Sequence, residues 1–494
     1  MLSEIKKKLE DLLGKEYVSN EPVDCIPYSR DLFSDSLKIY PERLPDIVVL
    51  PGSTLDVQNV MRIANQYNIP VHLIGGGAAV LAGSIPVTGG IMIDMKRMKV
   101  IQVDRKNLTV TVEAGVFVTT LTGYFKQLVE EDNFRWRPYF TGAPGPSLNN
   151  ATNIFQGINK FAGLKYGVGL QNILSLEMVL PDGTVFNTSS GANIFGVNHW
   201  MQGPGPTLTY FPFFALGSLG VCTKITWSLH PYPDTYKSIW AYFEDFNTPT
   251  ECLIELLHKD IGRGLFVMPA WTQGAYSAET RSEGIRLAKA SPKYMLGMGV
   301  EGTQRAVKYQ AELAEKIIRK HGGRIAPPEL VEVYRGHEQN IKGWGQSNSP
   351  RLMRHLGMIM SNMGYLSVDQ VPEYVRLCEE GTQKVKAYMD YPEPGFGEIA
   401  SGAQLYTYQW GHYVIAEYIF AFDHTSPDHV KGVWEVIHNM GAVPWLMGGG
   451  LWTVGRDPLT CNITGNFYEA AKKLKQAVDP ANIMNPNIGF IEGY

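Results

Sequence analysis

Small residues gather at three places in this chain where the backbone could take hold of a large ligand. The first is Gly75-Gly76-Gly77-Ala78-Ala79-Val80-Leu81-Ala82-Gly83-Ser84, directly after the apolar run 71–74. Glycine and alanine let main-chain N–H groups face outward and let a phosphate come close to them. The loop is not a Rossmann fingerprint, because no glycine stands three residues after Gly77, and no Gly-Lys-Ser/Thr follows to make a Walker A loop. Taken alone, it is equally readable as a tight surface turn. The second place, 141–167 (TGAPGPSLNNATNIFQGINKFAGLKYG), is poor in charge and rich in backbone and amide hydrogen-bonding groups. A loop that long inside a compact domain is usually functional or disordered. The third is Gly220 with Val221 and Thr223, at the start of a strand-like run. Three such loops in one region favour a single elongated ligand over three unrelated turns. Metal chemistry finds little support. His337-Glu338 opens like a zinc motif but position 341 is Ile, and His412 and His424 lack partners at ligand spacing. No G-x-S-x-G elbow is present.

The elements that must position these loops can be read from periodicity. Residues 46–50 form a strand. Residues 54–67 have Val57, Val60, Met61, Ile63 and Ala64 at helical spacing behind Thr54 as N-cap, and 71–74 form a second strand. Residues 91–115 read as short antiparallel strands, 117–131 as a helix, and 174–180 and 221–229 as strands. After about 235 helical stretches (250–259, 280–290, 303–321, 370–390, 427–440) alternate with short strands, which suggests a second α+β domain. A helix at 467–478 and the tail Asp479–Pro486 close the chain.

The 494 residues are globular in composition, 44% hydrophobic and 19% charged, with a formal charge of −4. That balance points away from nucleic acid. The five cysteines stand far apart, so no disulfide framework or cysteine cluster is expected. No membrane span and no secretory leader is legible, and a cytoplasmic location is the expectation. The ten Trp, 25 Tyr and 20 Phe are rich for a chain of this length and point to an aromatic pocket.

Several short runs, in this order, resemble one family. They are Tyr28-Ser29-Arg30-Asp31, Pro45–Pro51, Ile69-Pro70-Val71 with the glycine loop, Gly89–Asp94 and Val112–Val116. Leu164–Gly167, Pro181–Thr184, Gly217–Thr223, Asp479-Pro480 and Asn485-Pro486 follow. Together they resemble the FAD-binding superfamily of vanillyl-alcohol oxidase and p-cresol methylhydroxylase (PCMH), which also holds D-lactate, glycolate and D-2-hydroxyglutarate dehydrogenases. The resemblance implies an α+β fold: a PCMH-type FAD-binding domain of two subdomains (1–234), an α+β cap or substrate domain (235–445), and a C-terminal segment returning to the FAD domain (446–494). It implies that Ile74, Gly75, Gly76, Gly77, Ala78, Ala79, Gly83 and Ser84 cradle the FAD pyrophosphate. Pro144, Gly145, Ser147, Asn150, Asn153 and Gly157 would run along the flavin and its ribityl chain. Gly220, Val221, Thr223 and Asn485 would complete the site. Hydride would pass from a substrate carbon to the flavin.

Departures from the family pattern narrow the reading. Ala78 and Ala79 stand where many members carry the histidine that links FAD covalently, so FAD is expected to be held without a bond. The metal-dependent branch carries H-x-G-D-G-N-x-H and G-E-H-G-x-G. Here the matching stretches are Trp410–Glu417 and Met447–Trp452, without those histidines, so no metal is expected. Trp452 and Thr453 stand where the vanillyl-alcohol branch places a Tyr-Arg pair over a phenolate. Alternation over 406–422 sets Tyr406, Tyr408, Trp410 and His412 on one face, either an ordinary packed sheet face or an aromatic wall over the flavin. In the second case Tyr408 or His412 takes a hydroxyl proton, and Arg351 or Arg354 binds a substrate anion. The expected function is oxidation of a hydroxyl- or alkyl-bearing, aromatic or bulky small molecule by an FAD-dependent dehydrogenase or oxidase. The alternatives are a metal-independent 2-hydroxy-acid dehydrogenase, an alkylglycerone-phosphate-synthase-like enzyme, or a flavoprotein subunit handing electrons to a redox partner protein. A homo-oligomer, dimer or larger, is also expected.

Overall fold

The computed structural model describes residues 1–29, 43–76, 84–139, 163–195 apart from 168, 200–272 with short breaks, 290–328, 357–385, 401–422, 443–451 apart from 449, and 465–486, with scattered residues at 280–289 and 426–435. The N-terminal module is a four-stranded sheet in the order Val18–Ser19, Ile47–Val49, Ile91–Asp94, Val71–Ile74. The helix Thr54–Tyr67 makes the crossover and buries Val57, Val60, Met61, Ile63 and Ala64. Its N-cap is Ser53, not Thr54. Ser53 Oγ accepts the Asp56 N–H at 3.1 Å, while the Thr54 hydroxyl donates to Glu177 Oε1 at 2.7 Å. Ile91–Asp94 runs parallel to both Ile47–Val49 and Val71–Ile74, which corrects the antiparallel expectation for that run. Gly90, at φ +85°, makes the sharp entry possible; a Cβ there would come within 2.2 Å of the Pro70 carbonyl oxygen.

A second sheet is antiparallel throughout, in the order Ile101–Asp104, Thr109–Glu113, Val221–Ser228, Ile173–Val179, Val185–Asn187. Leu121, Phe125 and Leu128 of the helix Val118–Asp132 join Val110, Ile225 and Trp227 in its core. The strand pair Trp136–Arg137 and His230–Pro231 then leads toward the cap.

The C-terminal half, expected to form a cap, is built on one eight-stranded sheet whose neighbours are all antiparallel. Its order is Arg324–Ile325, Thr235–Phe243, Tyr294–Gly302, Gly264–Pro269, Ser401–Tyr408, Tyr413–Phe422, Gly357–Leu366, Gly450–Leu451. Its last strand lies beyond residue 445. Helices Asn247–Leu257, Gln304–Lys320 and Val371–Val385 cover one face, packing Leu253, Leu256, Ile318 and Tyr374 on Leu265, Val267, Leu405 and Ala416. The opposite face carries Trp240, Phe266, Met295, Tyr406, Tyr408 and Ile415. Among the described residues no helix of this half covers the aromatic sheet face, and Tyr408 on that face meets Gly163 of the N-terminal half.

Candidate flavin and substrate site

Three of the expected contact segments converge at the end of Val71–Ile74. The tail pairs with it, Met484 bridging to Val71 and the Asn485 N–H donating to the Val71 carbonyl at 2.8 Å. His72 is fully buried. Its Nδ1 meets Asn485 Oδ1 at 3.0 Å and its Nε2 meets Thr88 Oγ1 at 2.9 Å. Gly217, at φ +76°, lies so close that a Cβ would come within 2.9 Å of Leu73 and 3.0 Å of the Asn485 amide. Lys475, itself buried, ties these pieces together by donating to the Ser218 carbonyl (2.7 Å), the Met484 carbonyl (2.9 Å) and Asp479 Oδ2 (2.5 Å). Burial pushes the Lys475 amine down from its ordinary value, while Asp479 works the other way.

Ile74, Gly75 and Gly76 follow directly on Val71, His72 and Leu73 in the chain. Ser84, where the chain leaves the glycine loop, is buried, and its Oγ has no hydrogen-bond partner. A buried hydroxyl without a partner costs about 1–3 kcal/mol. A phosphate oxygen arriving beside it would remove that cost, so the described part of this loop fits an FAD pyrophosphate. Gly220 and Thr223 do different work in this structure. A Cβ at Gly220 would strike the Val179 carbonyl, and the Thr223 hydroxyl donates to Glu177 Oε1 at 2.9 Å. Val221 is buried in the core of the first module. Gly77, Ala78, Ala79, Gly83, Pro144, Gly145, Ser147, Asn150, Asn153 and Gly157 lie outside the described residues, as do Arg351, Arg354 and Trp452.

Tyr408 lies at the seam with the cap. Its ring rests on the backbone of Gly163, where a Cβ would come within 2.5 Å, and it stacks on Tyr413 with centroids 5.5 Å apart. The residue is fully buried and its hydroxyl has no partner. Burial, with Tyr365, Tyr413 and Glu417 adding to it, holds that phenol well above its ordinary value, so it is a proton donor rather than an acceptor. His412 does not share its face. The strand ends at Tyr408, Gln409 and Trp410 take positive φ, and Tyr413 begins the next strand. His412 is exposed at this hairpin and Trp410 is 43% exposed, so the alternation expected over 406–422 stops at Tyr408.

Glu417 was not among the expected site residues. It is fully buried and opposite Gln404 in register, which places it on the same face as Tyr406 and Tyr408. Gln404 Nε2 donates to the Glu417 carboxylate, and the Tyr406 hydroxyl donates to Gln404 Oε1 at 3.0 Å. The only sequence signal was its place at the last position of the stretch matched to H-x-G-D-G-N-x-H.

At the other end of the seam a polar cluster joins the second sheet's side of the chain to the eight-stranded sheet. Tyr139 stacks on Tyr166 at 4.2 Å, and its oxygen accepts from Arg137 Nη2 and from Arg263 Nη1, each at 2.9 Å. Both guanidiniums are buried, and Arg263 Nη1 also lies 2.9 Å from Glu301 Oε2. Asn172 donates through Nδ2 to the Tyr166 carbonyl, which turns its Oδ1 toward His230 and leaves the His230 proton on Nε2 at 2.6 Å. Burial, then Lys165 and Arg137, pull the His230 pKa down from 6.5 to about 4. The half-buried ring is therefore neutral, and the stability it supports is intact above pH 6.5. As pH falls through about 4 that stability is lost, by up to about 3 kcal/mol for a shift of this size. In urea unfolding, His230→Gln is expected to flatten the fall in stability over that window.

No helix among the described residues is long and apolar enough to cross a membrane, and no group of three metal-ligating side chains occurs among them. Cys25, Cys222, Cys252 and Cys378 are buried free thiols.

Comparison with known proteins places this architecture. Residues 45–189 match the family described as FAD binding domain. The structure of p-cresol methylhydroxylase with substrate bound superposes with a TM-score of 0.81 at 20% identity, over 99% of this chain and 97% of that one. A probable mitochondrial D-lactate dehydrogenase of Danio rerio is 26% identical over 284 residues, 57% of this chain and 53% of that protein. The flavoprotein subunit of 4-cresol dehydrogenase (hydroxylating) from Pseudomonas putida is 29% identical over 246 residues, 48% of this chain and 44% of that protein. These matches span about half the length of the curated relatives. The chain thus carries an FAD binding domain over residues 45–189 and shares the fold of p-cresol methylhydroxylase over nearly its whole length.

Proposed function

We propose that this protein is an FAD-dependent dehydrogenase or oxidase that oxidises a hydroxyl- or alkyl-bearing aromatic small molecule without a metal. The observation that carries this reading is the buried aromatic face of the cap sheet, where the Tyr408 ring lies on Gly163 and its hydroxyl has no partner. FAD, when bound, supplies the two-electron acceptor. Ser84 and the backbone at Gly75 and Gly76 would hold its pyrophosphate, with Gly77, Ala78, Ala79 and Gly83 continuing the loop. Phe266, Tyr406 and Tyr408 would pack the substrate ring and exclude water. The Tyr408 hydroxyl donates to the substrate oxygen and orients it. Glu417, kept in place by Gln404, takes the proton that the substrate hydroxyl releases.

Anaerobic mixing with 4-hydroxybenzyl alcohols and 4-alkylphenols tests the substrate class. Bleaching of the flavin bands is the expected result. Bleaching by D-lactate or glycolate alone would replace this reading with that of a 2-hydroxy-acid dehydrogenase. Acid precipitation is expected to leave the yellow colour in the supernatant, because Ala78 and Ala79 have no atom that can bond to the flavin. Colour kept in the pellet would mean a covalent link through the cap. A redox partner protein would serve as acceptor if oxygen reoxidises the reduced flavin slowly, and co-purification would reveal it.

A further inference from the structure

The buried Arg263 guanidinium is only half used. Nη1 serves Tyr139 and Glu301, but Nε and Nη2 have no hydrogen-bond partner, although no part of the residue reaches solvent. Those two nitrogens form one edge of the planar group. That edge presents two parallel N–H bonds, the geometry that takes both oxygens of a carboxylate. Tyr139 and Tyr236 lie under and beside the guanidinium, with ring centroids 5.5 and 5.1 Å from its carbon. They hold its plane and leave the Nε–Nη2 edge without an acceptor. Such donors are expensive to seal away from water unless an acceptor arrives.

The place of this edge says what could arrive. Arg263 directly precedes the strand Gly264–Pro269, whose Phe266 pairs with Tyr406 on the aromatic face. Three residues of strand span roughly 10 Å at about 3.3 Å each. The single helical turn Gly163–Tyr166 makes the same connection from the FAD domain. Gly163 carries the Tyr408 ring, and Tyr166 stacks on Tyr139, which Arg263 contacts. Burial works against the charge on Arg263, yet the Tyr139 oxygen and Glu301 hold its pKa above the ordinary value, so the fork stays cationic.

We propose that the Nε–Nη2 edge of Arg263 is a carboxylate-binding fork, and that the substrate carries a carboxylate at the end remote from the carbon to be oxidised. This rests on the flavoenzyme reading above and names its substrate class further. Arg137, on the same Tyr139 oxygen, fixes the ring against which the fork is set.

Benzoate and its neutral isostere benzamide test the fork without turnover. Each is titrated into the FAD-loaded protein while the flavin spectrum and the thermal midpoint are followed. Benzoate is expected to bind about tenfold or more tightly than benzamide, the margin of one charge-assisted pair. Arg263→Lys keeps the charge and removes the fork, and it is expected to erase that preference at unchanged FAD content. Should the lysine variant fold poorly, Arg263→Met combined with Glu301→Gln removes both buried charges together and is expected to erase the preference likewise. Equal binding of the two probes by the wild-type protein would overturn the proposal. So would a preference that survives in Arg263→Lys, which would leave Arg263 a purely structural residue. Displacement of benzoate by inorganic phosphate at lower concentration would overturn it in favour of a free-phosphate site. Failure of the flavoenzyme reading looks different: the benzoate preference is present, yet no hydroxylated or alkylated aromatic bleaches the flavin.

Discussion

Glu417→Gln is expected to slow flavin reduction by roughly 10²–10⁴-fold, the range for losing a positioned proton acceptor. The substitution changes little else. Glutamine keeps the shape, and its carbonyl still accepts from Gln404 Nε2, so the chain from Tyr406 through Gln404 remains whole. FAD content and thermal midpoint should therefore match the wild-type protein. Single-turnover reduction followed by the flavin absorbance is the direct measurement. Tyr408→Phe makes the contrasting case. It removes one hydrogen-bond donor but no base, so its loss should be smaller and should show more in KM. A Glu417→Gln protein that reduces its flavin at the wild-type rate would make Glu417 a structural carboxylate, balanced by its amide neighbour.

The second large effect concerns stability. Lys475→Met is expected to cost about 3–5 kcal/mol, the usual result of removing one member of a buried ion pair. Asp479 would remain in a fully buried position, accepting only from the Ile483 and Met484 N–H groups at 3.1 and 2.9 Å. The Ser218 and Met484 carbonyls would lose their donor as well. The urea midpoint should fall, and FAD content should fall with it, because the same lysine holds the tail that brings Asn485 to His72. Combining Lys475→Met with Asp479→Asn removes the stranded charge and should recover part of the loss. If Lys475→Met shifts neither the midpoint nor the flavin content, the tail is held by apolar packing alone.

How much of this was legible beforehand follows from which signals are local. The helix 54–67 and its flanking strands were legible because apolar spacing and turn residues agree there. Ile91–Asp94 was misplaced because a four-residue apolar run does not disclose its partners; both of its neighbours are strands from earlier in the chain. The run 406–422 kept its alternation on paper, but Gln409 and Trp410 adopt left-handed backbone that residue types do not announce. That turn is what removes His412 from the site. Glu417 and Arg263 were missed for a shared reason. A charged residue reads as a surface residue until its burial is known, and burial here is set by sheet register and by contact between domains. The small-residue loops stood out by residue type and order alone, and their role toward FAD is part of the proposal above.

The hydrogen bond between His72 and Asn485 joins positions 413 apart in the chain. A ribosome adding about 5–20 residues per second would finish the first sheet roughly 20–80 s before Asn485 exists. During that interval the end of Val71–Ile74 lacks the neighbour that later covers it, and the cap is made in between. On the proposal that the tail completes the flavin site, cofactor capture belongs to the finished chain and not to the nascent one. Any circular permutant that opens a new terminus in the cap while joining the original ends would make this contact local, and its flavin should load earlier in synthesis.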